Sequence, residues 1–218
     1  MQRQTKEYTI ANSITPVAVT SSTDATPIVV TATSHGLATG DMVVIFGHTT
    51  NVAANGIFKV VKVNANSFQL TDRHSGASVA GSGAGAGASG VMAALPKILL
   101  TSDFRSASFS LHTAGSASMT LKVALSHGKL ASDADANGDA PNFGATVADT
   151  NPYTYAAIVD LEDGSTVVEG DTGIVLAGTD VNKTYEVNTN LQKYLCIFPT
   201  AWTAGSYTIK MILSTDAQ

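Results

Sequence analysis

Basic charge is scarce in this chain. Of 218 residues only 12 are Lys or Arg, against 17 Asp or Glu, and the cations stand singly along the sequence. A nucleic-acid surface needs clustered cations to neutralise phosphates, so no DNA or RNA partner is expected. Cysteine is reduced to Cys196, which rules out an internal disulfide. Its place in the apolar run Tyr194-Leu195-Cys196-Ile197-Phe198 implies a buried, inert thiol. No stretch approaches the ~20 apolar residues of a membrane helix, so no membrane partner is expected. Met1 to Ile10 is polar and charged and has no apolar signal region, which predicts a soluble protein made in a reducing cytoplasm. Charged residues as a whole make up 13% of the chain and aromatics 6%. Long amphipathic helices therefore lack both their charged face and their heptads.

What remains is Ala, Thr, Ser, Gly and Val, a composition that suits strands and tight turns. The first half alternates β-branched runs with turn residues. Ile28–Thr33, Met42–Phe46, Ile57–Val63 and Ser67–Thr71 read as strands, and Asn64-Ala65-Asn66 suits a hairpin. Five or so strands in about eighty residues point to a small barrel or a two-sheet module. Gly81 to Gly90 reads either as a linker or as a Gly-rich loop of that barrel before a closing strand near Val91-Met92-Ala93. The second reading is adopted, with the boundary at Leu95-Pro96. The division is then an N-terminal arm over 1–15, a barrel over 16–95 and a sandwich over 96–218.

The second half offers strands at Lys97–Thr101, Ala107–Thr113, Ser118–Leu125, Tyr155–Leu161, Thr166–Val168, Gly173–Leu176, Thr184–Val187, Lys193–Phe198 and Ser206–Leu213. Glu162-Asp163-Gly164 and Thr203-Ala204-Gly205 serve as turns between them. That pattern predicts a β-sandwich, specifically a jelly roll. Ser126 to Tyr153 is a long, weakly apolar segment, and loops of that length in compact domains usually have a task.

Chemistry-bearing residues are dispersed. His35, His48, His74, His112 and His127 show no short spacing of the kind zinc sites use, and His35 is expected to cap its own turn. Asp133, Asp135, Asn137 and Asp139 alternate as a calcium loop begins. The twelfth position, where a bidentate Glu belongs, is Gly144, so a solvated turn-rich loop is expected instead. No metal and no cofactor are predicted. Gly81-Ser82-Gly83 and Ala88-Ser89-Gly90 lack the strand-to-helix elbow of a serine nucleophile. Glu162, Asp163, Glu169 and Asp171 read as turn carboxylates rather than a glycosidase pair. No catalytic residue is assigned, and the chain is expected not to be an enzyme. Tyr153, Tyr155, Trp202 and Tyr207 flank loops, where exposed rings could stack on a sugar; the competing reading is core or interface packing.

The string His35-Gly36-Leu37-Ala38-Thr39-Gly40-Asp41, set between Ile28–Thr33 and Val43-Val44-Ile45, carries a resemblance. With Asn55–Val60 and Asn66–Thr71 it resembles a small β-barrel module that recurs in phage tail and virion proteins and is similar to an insert of ubiquitin-activating enzymes. Ser118–Ser126 and Tyr194–Ile209 more loosely resemble the jelly-roll modules of phage minor structural proteins. The resemblance implies a structural component of a tailed-phage virion, made in the bacterial host and assembled with major capsid or tail proteins, as a homo-oligomer with a trimer favoured. A capsid decoration or cement protein is the first expectation. A minor tail, neck or baseplate protein, or a receptor- or glycan-binding module, is the alternative.

Overall fold

The computed structural model describes residues 4–83, 85–128, 141–148, 151–189 and 192–215. Its strands are β1 (Thr5–Ile14), β2 (Val17–Ser22), β3 (Val29–Thr31), β4 (Met42–Phe46), β5 (Gly56–Asn64), β6 (Ser67–Thr71) and β7 (Gly85–Ala94), followed by β8 (Leu99–Leu100), β9 (Ser106–Ser126) and β10 (Thr154–Tyr155). The chain closes with β11 (Ile158–Asp160), β12 (Val167–Val168), β13 (Ile174–Thr179), β14 (Asn182–Asn188) and β15 (Tyr194–Ser214). One short 3₁₀ turn, Val52–Ala54, interrupts them. The fold is all-β, a barrel followed by a sandwich-like sheet, and among the described residues no helix is long and apolar enough to cross a membrane.

Strands β2, β3, β6, β5, β4 and β7 close into a barrel in that order. Alternation sets its inside: Phe58 and Val60 of β5, Phe68 and Leu70 of β6, and Val43 and Ile45 of β4 all point to one core. Each such side chain contributes on the order of 1.5–3 kcal/mol by leaving water. The His35–Asp41 string forms a turn that ties the β3–β4 connection to β5. Gly36 and Gly40 take φ of +70° and +101°, values that L side chains rarely adopt. His35 Nδ1 accepts the Leu37 N–H at 3.0 Å, so Nε2 carries the proton and donates to the Asn64 carbonyl at 2.9 Å. Asp41 Oδ2 accepts the Ala38 N–H at 2.8 Å, and Leu37 drops into the barrel core. Each motif residue thus holds the turn.

The Gly-rich run is not a loop throughout: from Gly85 onward it pairs with β2 as the first half of β7. Glycine in a strand marks a close approach. A Cβ on Gly90 would lie 2.6 Å from His48 Nε2.

The large sheet is built on two strands of 21 residues each, β9 and β15, paired along their length. The sequence divides each of them in two. The division fails because Ala114–Ser116 and Thr203–Gly205 bend the chain without reversing it. Odd-numbered residues from Ala107 to Leu125, Gly115 apart, stay buried on both sides of the bend, so the strand keeps one phase over one core. The pairing register of β15 shifts at three places between Pro199 and Ser206. Gly205, at φ +89°, passes so near β9 that a Cβ would meet Ala117 Cα at 2.9 Å. Thr203-Ala204-Gly205 is therefore a bulged stretch of strand and not a turn. Strands β14 and β13 pair successive lengths of β9, which folds the sheet around the core of Phe109, Leu121, Ile174, Leu176, Ile197 and Ile209.

Residues 5–14 differ from the arm read in the sequence. They form β1, antiparallel to β15 from Thr5↔Ser214 to Ile14↔Tyr207. Only Ile10 and Ala11 of this strand are buried, and that is why its pattern is inconspicuous. The chain leaves the sheet at Ile14, builds the barrel, and returns beside β1, where the Lys97 N–H donates to the Ile10 carbonyl at 2.9 Å.

Candidate functional site

The barrel and the sheet meet at a third apolar cluster. Val44, Ile57 and Ala93 face outward from β4, β5 and β7, and Ala124, Cys196 and Phe198 face outward from β9 and β15. These strands are apolar on both faces here because each face is covered. One segment bridges the two sides. Phe143 is fully buried, with its ring centroid 5.4 Å from that of Tyr153 and 6.4 Å from that of Phe198. Beside it Asn142 Oδ1 accepts the Ile57 N–H of β5 at 2.5 Å. Gly56, at φ +129°, leaves room for that amide, since a Cβ there would sit 2.7 Å from Asn142 Nδ2. Asn151 holds Asn142 from behind, accepting its N–H at 2.6 Å and donating to its carbonyl at 3.0 Å. Arg73 of the barrel donates to the Pro141 carbonyl at 3.4 Å, and Tyr153 Oη donates to the Ala145 carbonyl at 2.7 Å. The second part of the long 126–153 segment is thus a strap across the joint.

At one end of the barrel the fully buried Asn51 joins three loops. Its Nδ2 donates to Ser22 Oγ and to the Thr23 carbonyl, both at 3.0 Å, and its Oδ1 accepts the Ser82 N–H at 3.0 Å. Neither Asn51 nor Asn142 stands out in the sequence. Their partners lie 28 to 85 residues away, and no local pattern announces an amide with that reach.

The aromatic residues considered for sugar stacking are placed otherwise. Tyr207 is 1% exposed at an inward position of β15, and Tyr153 is 7% exposed inside the joint. Neither ring is offered to a ligand. Tyr155 is half-buried with Lys122 Nζ 4.4 Å over its ring, and burial raises its pKa. Trp202 packs partly against the sheet core, and its Nε1 donates to the Gly205 carbonyl at 2.9 Å. Core and interface packing accounts for these rings because they sit on strands and at the joint, not at loop tips.

Cys196 is fully buried, and desolvation pushes its thiol up to about 12, so the group stays neutral. His35 holds its turn, His48 is buried in the barrel, His74 accepts from Arg73 Nε at 2.7 Å, His112 pairs with Asn182 Oδ1 at 2.7 Å, and His127 is exposed. Among the described residues no three His, Cys, Asp or Glu side chains gather as a metal would require. Asp133, Asp135, Asn137 and Asp139 lie outside the described residues. Asp163 closes the Asp160–Thr166 turn, accepting from the Ser165 and Thr166 N–H groups and the Thr166 hydroxyl. These bonds hold its carboxyl down at about 2. Glu162 pairs with Lys183 at 2.5 Å. On the outer face of the sheet Glu7, Thr9, Ser108, Ser110, Thr184 and Lys210 line a shallow trough of about 610 Å³.

No family model matches the chain, and no curated protein matches it. Among solved structures the chain is similar to the SPBc2 prophage-derived protein YomS. The TM-score is 0.35 at 12% identity, covering 56% of this chain and 80% of that one.

Proposed function

We propose that this chain is a non-enzymatic structural protein of a tailed-phage particle, and specifically a decoration or cement protein on the capsid. The observation that carries the reading is the barrel. The stretches that bear the phage-module resemblance, Ile28–Thr33, His35–Asp41, Val43–Ile45, Asn55–Val60 and Asn66–Thr71, fold together into one closed unit, and the His-Gly-Leu string is its internal brace. A module of that kind, fastened to a second β unit by an aromatic joint, suits a part that is repeated over a shell and loaded mechanically. Its partners on this reading are capsid or tail proteins and further copies of itself, a trimer first. The copies would bury more than ~1,000 Å² against neighbours. Quantitative mass spectrometry of purified virions tests it: a decoration protein is present in numbers comparable to the major capsid protein. A handful of copies per particle moves the chain to the tail, neck or baseplate. Absence from purified particles overturns the virion reading.

A further inference from the structure

His48 follows β4, the strand that closes the barrel against β7 through Val43–Phe46 and Val91–Ala94. Its backbone is held on both sides, the N–H donating to Asn55 Oδ1 at 2.9 Å and the carbonyl accepting from Asn55 Nδ2 at 2.7 Å. Its ring is not. The residue is 3% exposed, and among the described residues neither Nδ1 nor Nε2 has a hydrogen-bond partner. The ring lies directly under Gly90 of β7, where a Cβ would come within 2.6 Å of Nε2 and 2.9 Å of Cδ2. Glycine at 90 and an uncharged ring at 48 are thus fitted to each other.

Among the described residues no side chain pairs with the ring. His48 is the only titratable side chain between Met42 and Gly56, and the stretch from Gly81 to Ala94 on the facing strand has none. The charged group of the β2–β3 loop at this end, Asp24, spends Oδ1 on the Gly83 N–H at 3.0 Å. Burial alone lowers the affinity of the His48 ring for a proton.

We propose that His48 is an acid-sensitive latch on the barrel: neutral, it lets β7 close over it, and protonated, it forces the β4–β7 seam to open. The added proton brings a second N–H and a positive charge into a buried site where neither ring nitrogen has a partner among the described residues. In the opened seam the ring reaches water and regains the ordinary histidine pKa near 6.5. Between that value and the lower one of the closed barrel, the open form binds more protons than the closed form. Closure is therefore favoured above about pH 6.5 and is lost progressively as pH falls, by up to about tenfold per pH unit.

Hydrogen exchange of the full-length protein from pH 7.5 to 5, corrected for the intrinsic pH dependence of exchange, reads the seam directly. Above pH 5 most ordinary carboxylates remain ionised. Protection of residues 43–46 and 91–94 is expected to fall by up to about tenfold per pH unit below 6.5, while the β9–β14 pairing of the sheet holds level. The His48→Leu substitution, which cannot titrate, is expected to remove the fall. Seam protection that stays level across the range overturns the proposal, as does a fall that persists unchanged in His48→Leu or that the sheet shares equally. If His48→Leu does not fold, NMR titration of the wild-type rings decides: a His48 midpoint below those of the other histidines, tracking the loss of seam protection, supports the latch, and an ordinary midpoint overturns it.

Discussion

Removing the Phe143 ring isolates the joint from the two cores it connects. Phe143 is fully buried among Val44, Ile57 and Ala93 of the barrel and Ala124, Cys196 and Phe198 of the sheet, with Tyr153 edge-on at 5.4 Å. Phe→Ala at buried positions costs about 3–5 kcal/mol. The aromatic pairs account for about 0.5–1.5 kcal/mol each of that figure. Phe143 belongs to neither the barrel core nor the sheet core, so the loss falls on their coupling. Trp202 packs on the sheet, and the barrel, from Val17 to Ala94, contains neither Trp nor Tyr. Tryptophan fluorescence therefore follows the sheet, while far-UV circular dichroism follows both units. In urea the wild type is expected to give coincident transitions by the two probes. Phe143→Ala is expected to separate them, with the joint weakened by at least ~3 kcal/mol. The control is Val147→Ala, an exposed position in the same strap, which should fall within ~0.5 kcal/mol of wild type. Coincident transitions in Phe143→Ala, displaced no further than in the control, would refute the account of the joint.

Three further outcomes follow from single contacts. Tyr207 Oη is buried without a partner among the described residues, so Tyr207→Phe should match or exceed wild-type stability by up to ~1–3 kcal/mol; a lowered melting temperature would contradict that. A fragment from Lys97 to Gln218 lacks β1, which bares the β15 edge from Tyr207 to Ser214 and removes Ile10 and Ala11 from the core. It should aggregate and recover when a Thr5–Ile14 peptide is added; a soluble fragment as stable as the full chain would show β1 to be dispensable. The Thr166 and Ser165 hydrogen bonds hold the Asp163 carboxyl at about 2, below the ordinary aspartate value. Its hold on the 160–166 turn is therefore present above pH 4 and fades as pH falls toward 2. The Ser165 and Thr166 amide shifts should titrate with a midpoint near 2, and an ordinary carboxylate midpoint would show the turn to be open.

Local patterns made the barrel legible. Its strands are short and β-branched, their alternation is regular, and the His35–Asp41 string carries its own turn chemistry. The sheet was legible in content but not in connection. Ala107–Thr113 and Ser118–Leu125 read as strands, yet a stretch of small residues at 114–116 looks the same whether the chain turns or bends. Only partner strands fix which occurs. Strand β1 is silent in the sequence because an edge strand with two buried residues writes almost no apolar pattern. The bridging amides are silent for a different reason: Asn51 and Asn142 act across 28 to 85 residues, and an Asn in a loop reads as turn chemistry. The rings at 153 and 207 lie beside loops in the sequence, yet one is buried in the joint and the other sits at an inward strand position.

The insertion of the barrel between β1 and β8 bears on what the protein can be used for. A module hung on one linker swings, and force applied to it stretches the linker first. Here the chain enters the barrel from β1, whose end is held by the Ser13 N–H on Thr208 Oγ1 at 2.9 Å. It leaves through Leu95 to Lys97, pinned to the Met42 and Ile10 carbonyls at 3.1 and 2.9 Å. The strap adds a third attachment at Ile57, on a strand away from both crossings. Three separated attachments fix an orientation where one or two leave a hinge. A pull along β1 would load its ladder with β15, which runs from Ser214 to Tyr207, in shear. Shear requires many ladder hydrogen bonds to fail together, whereas peeling breaks them singly. The barrel is thereby held at a set angle to the sheet.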